Sequence, residues 1–96
     1  MKSSHTKKSD EELYLELYGD KDSARKAFEE IYQRYSSKVY TFCSRVMGDT
    51  ELADDIFQET FINFYESALV EREMKNVSAY IFKIARNLCI NEKQKK

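Results

Sequence analysis

The segment ARKAFEEIYQRYSSKVYTFCSRV, residues 24–46, decides the fold, because its apolar side chains recur at steps of three and four positions. In a helix this spacing gives one continuous stripe, formed by Ala24, Ala27, Phe28, Ile31, Tyr35, Val39, Phe42, Cys43 and Val46. So wide an apolar stripe is buried only when it packs against other helices. The segment therefore predicts a long helix within a helical bundle.

Capping residues mark the ends of this long helix and of the helix before it. We expect the long helix to begin near Asp22 or Ser23, either of which can cap it, and to end at Gly48. The preceding helix opens with a capping box at Ser9–Glu12, in which side chains bind the free backbone N–H groups. We expect Gly19 to end that helix as a left-handed cap.

Two further amphipathic segments follow in the second half of the chain. The third helix is expected over residues 50–67 after a cap at Asp49-Thr50, and the last one after a cap at Asn76. The sequence has two Gly and no Pro, so it lacks the turn residues that many short strands need. The predicted fold is therefore all-α, a compact bundle of about four helices with no sheet.

The length of 96 residues is enough for one domain with a single core. We expect residues 1–8 to form a flexible basic tail, residues 9–96 the helical domain, and residues 93–96 the start of a basic linker. No run approaches the roughly 18 apolar residues of a membrane span, and no apolar stretch follows the basic start. We expect a cytoplasmic protein without membrane partners, in which Cys43 and Cys89 are reduced and buried.

Residues suited to catalysis or metal binding are scarce. The one histidine, His5, lies in the expected tail, so no histidine-assisted nucleophile or histidine-rich metal site forms in the core. The sequence has no glycine-rich phosphate loop and no Glu-x-x-His motif of a di-metal bundle. We therefore expect no enzymatic activity, no metal and no cofactor.

Charge is unevenly distributed along the chain, although the formal net charge is only −1. Residues 10–74 carry seven basic and sixteen acidic side chains, whereas residues 75–96 carry six basic side chains and one acid. This division indicates two surfaces for partners of different charge. A solubilising acidic face with an incidental lysine tail accounts for the same numbers equally well.

Helical spacing places polar residues on one outward strip of each of the last two helices. The strip on the third helix contains Asp55, Gln58, Glu59 and Ile62, and it suits a basic partner helix as well as a plain solvated face. The strip on the last helix contains Lys83, Arg86, Asn87, Ile90 and Lys93 or Gln94, with Asn91 adjacent. Lysine and arginine contact phosphates, and asparagine amides pair with base edges. Tyr80 and Phe82 are candidate stacking surfaces for unpaired bases, although Tyr80 also fits the core stripe.

Two runs of sequence resemble conserved region 2 of bacterial sigma factors. They are ADDIFQETF, residues 53–61, and AYIFKIARN, residues 79–87, in the order and at the separation of that region. The closest resemblance is to the extracytoplasmic-function group, whose opening helix is similar to FEEIYQRY, residues 28–35. The resemblance covers about residues 22–96. It implies a helical domain that binds the clamp helices of the largest subunit of core RNA polymerase, and that recognises and melts the promoter −10 element.

The resemblance also implies roles for individual residues. By position, the polymerase-facing surface consists of Asp55, Gln58, Glu59, Ile62 and Tyr65. The residues expected along the nontemplate strand of the −10 DNA are Asn76, Tyr80, Lys83, Arg86, Asn87, Asn91 and Lys93. The loop from about residue 70 to residue 76 would hold a base flipped from that strand. An anti-sigma factor is a further partner of this group.

The chain departs from the family pattern at its C-terminal end. Sigma factors of this group carry a second helical domain that reads the −35 element, whereas this chain ends at Lys96, where a linker would begin. We expect an isolated domain or a fragment rather than an unusually short protein. Two other functions fit the residues alone: a helical protein-interaction module that never touches nucleic acid, and a small regulator that sequesters a partner.

Overall fold

The computed structural model describes residues 7–71 and 73–95, and these residues form four α-helices and no strand. In chain order the helices are α1 (Asp10–Glu16), α2 (Lys21–Met47), α3 (Thr50–Ala68) and α4 (Val77–Gln94). The prediction of an all-α bundle of about four helices is confirmed. α2 is the longest helix and packs against the other three. Predictions made for residues 1–6, including His5, lie outside the described residues.

Side-chain caps start three of the helices where the sequence indicated. The capping box is present, since Ser9 Oγ accepts from the Glu12 N–H at 3.1 Å and the Glu12 carboxylate accepts from the Ser9 N–H at 2.8 Å. Asp49 caps α3 and Asn76 caps α4 by the simpler single bond, in which the side-chain oxygen accepts from the N–H of Leu52 or Ala79. Gly48 ends α2 with a left-handed φ of 68°, a conformation that glycine adopts at little cost.

Two predicted helix ends were wrong. Gly19 is not a left-handed cap: α1 ends at Glu16, and the Gly19 N–H bonds to the carbonyl three residues earlier, which tightens the end of the helix. α2 begins at Lys21, before the predicted start, because the carboxylate of Asp20 accepts from the Ser23 N–H at 2.9 Å. That hydrogen bond also lowers the pKa of Asp20.

The core is formed by the apolar stripes of all four helices. Of the stripe predicted on α2, the fully buried members are Ala24, Ala27, Ile31, Val39 and Cys43, and the partly buried members are Phe28, Tyr35, Phe42 and Val46. Thr60 is the buried polar residue of the core, and its hydroxyl donates to the Ile56 carbonyl at 2.7 Å. None of the helices in the described part of the chain has the length and apolar character needed to span a membrane.

The two cysteines lie in the core on helices that pack together, Cys43 on α2 and Cys89 on α4, and both are free thiols. Burial and the adjacent Cys89 raise the pKa of Cys43 to about 12, and burial raises the pKa of Cys89. A raised thiol pKa means that folding favours the neutral form. This contribution to stability is complete below the unfolded thiol pKa of about 8.5, and it is lost as the pH rises toward the folded value.

We expect the native protein to react with Ellman's reagent at pH 8 only as fast as the core opens, because the reagent attacks the exposed thiolate. Unfolding in urea should make both thiols reactive towards the reagent at the same time. A Ser37→Cys variant provides the control, since Ser37 is exposed on α2 and its thiol should react immediately. Rapid labelling of Cys43 and Cys89 in the folded wild-type protein would contradict their burial.

Candidate functional site

The outward strip of α3 is exposed along its full length. Its five members are Asp55, Gln58, Glu59, Ile62 and Tyr65, and we call them the acidic strip. Ile62 leaves 55% of its surface exposed and Tyr65 leaves 37%, so apolar groups lie beside the carboxylates. The opposite side of α3 is buried and includes Ile56, Phe61 and Phe64. This division follows from the helical period, which is why the sequence predicted the exposure of the strip.

An open groove of about 930 Å³ lies beside the acidic strip, between α2, α3 and the end of α1. Five aromatic rings of α2 and α3 line it: Phe28, Tyr32, Phe57, Phe61 and Tyr65. They contact one another mostly edge to face, as in Phe28–Tyr65 at 5.6 Å and Tyr32–Phe61 at 4.9 Å between ring centroids. Gln58 and Ile62 of the strip reach the same groove. The strip and the groove thus form one continuous surface with acidic and apolar parts.

The outward side of α4 is also exposed. Lys83, Arg86, Asn87, Asn91 and Lys93 all lie on this side, and we call them the basic face. Ile90 is a large apolar residue on this exposed side and keeps 38% of its surface accessible. The buried side of α4 contains Val77, Ile81, Ala85 and Cys89. The basic face therefore presents cations and amides to solvent.

The other predicted nucleic-acid residues have partners within the domain. Asn76 is exposed, but its Oδ1 accepts from the Ala79 N–H at 2.9 Å to cap α4. Tyr80 is half-buried, with its ring 6.2 Å from that of Phe64. Phe82 is not a free stacking surface, because its ring packs edge to face on Phe42 at 5.9 Å and is partly buried against the core.

A shallow cavity of about 390 Å³ lies between α3 and α4 beside the basic face. The amides of Asn63 and Asn87, the hydroxyl of Ser67 and the carboxylate of Glu66 supply its polar lining, and Leu88 supplies apolar surface. Val70, at the start of the loop between α3 and α4, forms part of the rim and is 81% exposed. This cavity could not be predicted from the sequence, because Asn63 and Asn87 are brought together only by packing.

The loop between α3 and α4, which we call the α3–α4 loop, contains the described residues 69–71 and 73–76. Its carbonyl at Glu71 accepts hydrogen bonds from the hydroxyls of both Tyr14 and Tyr18 on the α1 side of the domain. At its other end, the Val77 N–H donates to the carboxylate of Glu11 at 3.3 Å. The sequence analysis predicted none of these contacts. The residues that these contacts join lie 53 to 66 positions apart in the sequence, so helical periodicity does not predict the contacts.

The described residues contain no group of three or more His, Cys, Asp and Glu side chains that could hold a metal ion. What they present are two exposed surfaces of different charge, one on α3 and one on α4. The fold and these surfaces define a small all-helical binding module.

Comparison with known proteins gives the family. Residues 31–96 match the family model of Sigma-70 region 2. Because this match covers more than half of the chain, the protein belongs to the Sigma-70 region 2 family. Membership in this family supports the expectation that the chain is not an enzyme.

Two curated relatives are extracytoplasmic-function (ECF) sigma factors of Bacillus subtilis (strain 168). The ECF RNA polymerase sigma factor SigW is 36% identical over 78 residues, which cover 81% of this chain and 40% of SigW. The ECF RNA polymerase sigma factor SigM is 36% identical over 63 residues, which cover 66% of this chain and 38% of SigM. The chain thus spans about two fifths of the length of these relatives. No solved structure matches it significantly. These similarities confirm the resemblance to the ECF group.

Proposed function

We propose that this chain is the promoter-recognition domain of a transcription initiation factor. It binds core RNA polymerase through the acidic strip and contacts the opened −10 element through the basic face. The observation that carries the proposal is the exposure of these two surfaces on separate helices, in a chain of the Sigma-70 region 2 family. Such a role requires a cytoplasmic location, where polymerase and promoter DNA are found.

The acidic strip and its groove suit a partner made of basic helices with apolar side chains. Carboxylates steer such a partner and fix its register, while burial of Ile62 and Tyr65 contributes apolar contact area. The clamp helices of the largest polymerase subunit are the partner that the family implies. An anti-sigma factor that covers the same surface would compete with polymerase for it.

The basic face suits a single strand of DNA. Its lysines and arginine lie in position to contact successive phosphates, and its asparagine amides offer donors and acceptors to base edges. Opening the promoter requires that a base leave the stack, which costs a few kcal/mol. Capture of that base at the α3–α4 loop, together with backbone contacts, offsets this cost and holds the strand open.

The proposal is tested with a labelled nontemplate −10 strand selected from a randomised oligonucleotide pool. We expect the chain alone to bind it weakly, and the complex of the chain with core polymerase to prefer it to a scrambled strand at least tenfold. Binding to polymerase with no association to DNA at any salt concentration would favour a protein-interaction module. Failure to bind polymerase at all would contradict the proposal.

The basic face should give the DNA affinity a dependence on salt that responds to single substitutions. The three cations of the basic face, with one phosphate contact each, predict a slope near −2.1 in a plot of log Kobs against log salt for single-stranded DNA. Lys83→Ala should weaken binding to every sequence and make this slope shallower by about 0.7 to 1. Lys26→Ala is the matched control, because Lys26 is an exposed lysine on the first part of α2. Equal slopes for the two variants would contradict a phosphate contact at Lys83.

A further inference from the structure

The α3–α4 loop is held at both ends by α1 and the turn that follows it. The hydroxyls of Tyr14 and Tyr18 donate to the same Glu71 carbonyl near the start of the loop. The carboxylate of Glu11 accepts from the Val77 N–H, where the loop joins α4. We call Glu11, Tyr14 and Tyr18 the α1 brace.

The tyrosine contacts of the α1 brace are well placed to restrain the loop. Tyr14 is almost fully buried, and its ring lies 6.0 Å from that of Phe64 and 6.0 Å from that of Tyr18. Burial above all, and then the neighbouring Tyr18, raise the pKa of Tyr14. Its hydroxyl therefore keeps its proton, and remains a donor, at every pH at which the protein functions.

The carboxylate contact strengthens the junction between the loop and α4. The first N–H groups of a helix have no partner within the helix, and its N-terminus carries partial positive charge. Asn76 satisfies the Ala79 N–H at 2.9 Å, while Glu11 satisfies the Val77 N–H from outside the helix. Two side chains from distant parts of the sequence thus fix the orientation in which the loop enters α4.

The α1 brace is itself anchored to the rest of the domain. Asp10, the first residue of α1, forms an ion pair with Arg34 at 2.8 Å and accepts a hydrogen bond from the Tyr35 hydroxyl. The side chains of both Arg34 and Asp10 are less than one fifth exposed. A second Arg34 nitrogen donates to the Lys8 carbonyl at 2.6 Å. Because α2 holds α1 in this way, α1 can hold the loop in one position.

We propose that the α1 brace keeps the α3–α4 loop in the conformation that receives the flipped base, with Glu11, Tyr14 and Tyr18 as positioning residues. This inference rests on the proposed function, since it requires that a base be captured at the loop. Its physical basis is preorganisation: a loop already fixed in the free protein loses little conformational entropy when the base enters. Removing the α1 brace should therefore weaken base recognition and leave the acidic strip and its polymerase binding unchanged.

The test uses a Tyr14→Phe/Tyr18→Phe double variant, because each single variant leaves one hydroxyl on the Glu71 carbonyl. Phenylalanine keeps the rings and removes only the donors. Tyr40→Phe is the matched control, since Tyr40 packs on Phe57 and lies outside the proposed surfaces. The first readout is amide hydrogen exchange in the free protein at residues 69–71, whose N–H groups donate to the carbonyls of Glu66 and Ser67 beside the tyrosine contacts. The second, made with core polymerase bound, is the preference for the selected −10 strand over the same strand with its flipped base replaced.

In the double variant we expect exchange at residues 69–71 to be about tenfold faster, since the Glu71 carbonyl loses two hydrogen bonds. We expect the preference for the correct base to fall by a similar factor, with unchanged affinity for core polymerase and with Tyr40→Phe behaving as wild type. Unchanged exchange would overturn the inference. Faster exchange without a change in base preference would also overturn it, because the loop would then be held for another purpose. If the wild-type protein showed no base preference, the proposed function would be wrong, and the positioning role would be wrong with it. Amide exchange would still show whether α1 restrains the loop.

Discussion

Phe64→Ala is expected to cost about 3–5 kcal/mol of the free energy of unfolding, the range measured when a large buried ring is removed. Phe64 is fully buried on α3, with its ring 6.0 Å from that of Tyr14 and 6.2 Å from that of Tyr80. It therefore joins three helices at one point. A domain of this size has a total stability of roughly 5–14 kcal/mol, so the variant should be marginally folded.

Urea denaturation followed by far-UV circular dichroism measures this loss. The matched control is Ile62→Ala, which removes a large side chain two residues away on the same helix. Because Ile62 is 55% exposed, its truncation should change stability by no more than about 0.5 kcal/mol. Equal midpoints for the two variants would contradict the assignment of Phe64 to the core and of Ile62 to the surface.

The second large effect is expected on polymerase binding. A Gln58→Lys/Glu59→Lys variant places two cations on the acidic strip, where the proposed partner helices are basic. Like charges that face each other at an interface cost several kcal/mol, so we expect affinity for core polymerase to fall by about 2–3 kcal/mol, or roughly 30- to 140-fold. Both positions are exposed, so the fold should tolerate the change.

The control for this variant is Gln33→Lys, which makes the same change of residue type at an exposed position on α2. Gln33 belongs neither to the acidic strip nor to its groove. The affinity of the Gln33→Lys variant for core polymerase, measured by fluorescence anisotropy with labelled protein, should equal that of the wild-type protein. If the Gln58→Lys/Glu59→Lys variant also bound like wild type, the acidic strip would not be the polymerase surface.

The helices could be predicted from the sequence because their signals are local. Apolar spacing and capping residues act within a few positions of one another, so α3, α4 and the stripe of α2 were predicted closely. The errors occurred where two local signals competed. Asp20, rather than Asp22 or Ser23, caps α2, and Gly19 follows an already tightened helix end instead of forming a left-handed cap.

The exposed surfaces could be predicted only in part. Periodicity places the acidic strip and the basic face outward, and the structure agrees. Periodicity does not predict which side chains outside the apolar stripe pack against another helix. Phe82 is an example, because its ring packs on that of Phe42. Contacts that depend on tertiary packing could not be predicted from the sequence pattern. They include the hydrogen bonds from Tyr14 and Tyr18 to Glu71 and the ion pair of Arg34 with Asp10.

The central claim is that two separate surfaces of one small bundle bind two different partners, and a crossed titration tests it most directly. Two variants, Gln58→Lys/Glu59→Lys and Lys83→Ala, are each titrated with core polymerase and with the selected −10 strand. The strand titration of Lys83→Ala is made on the complex of this variant with polymerase. We predict that Lys83→Ala binds polymerase normally and loses affinity for the strand. The Gln58→Lys/Glu59→Lys variant should bind polymerase roughly 30- to 140-fold more weakly and retain the weak, salt-sensitive strand binding of the free chain. The claim would be contradicted if Lys83→Ala lost polymerase binding, or if reversing charge on α3 abolished the intrinsic strand binding.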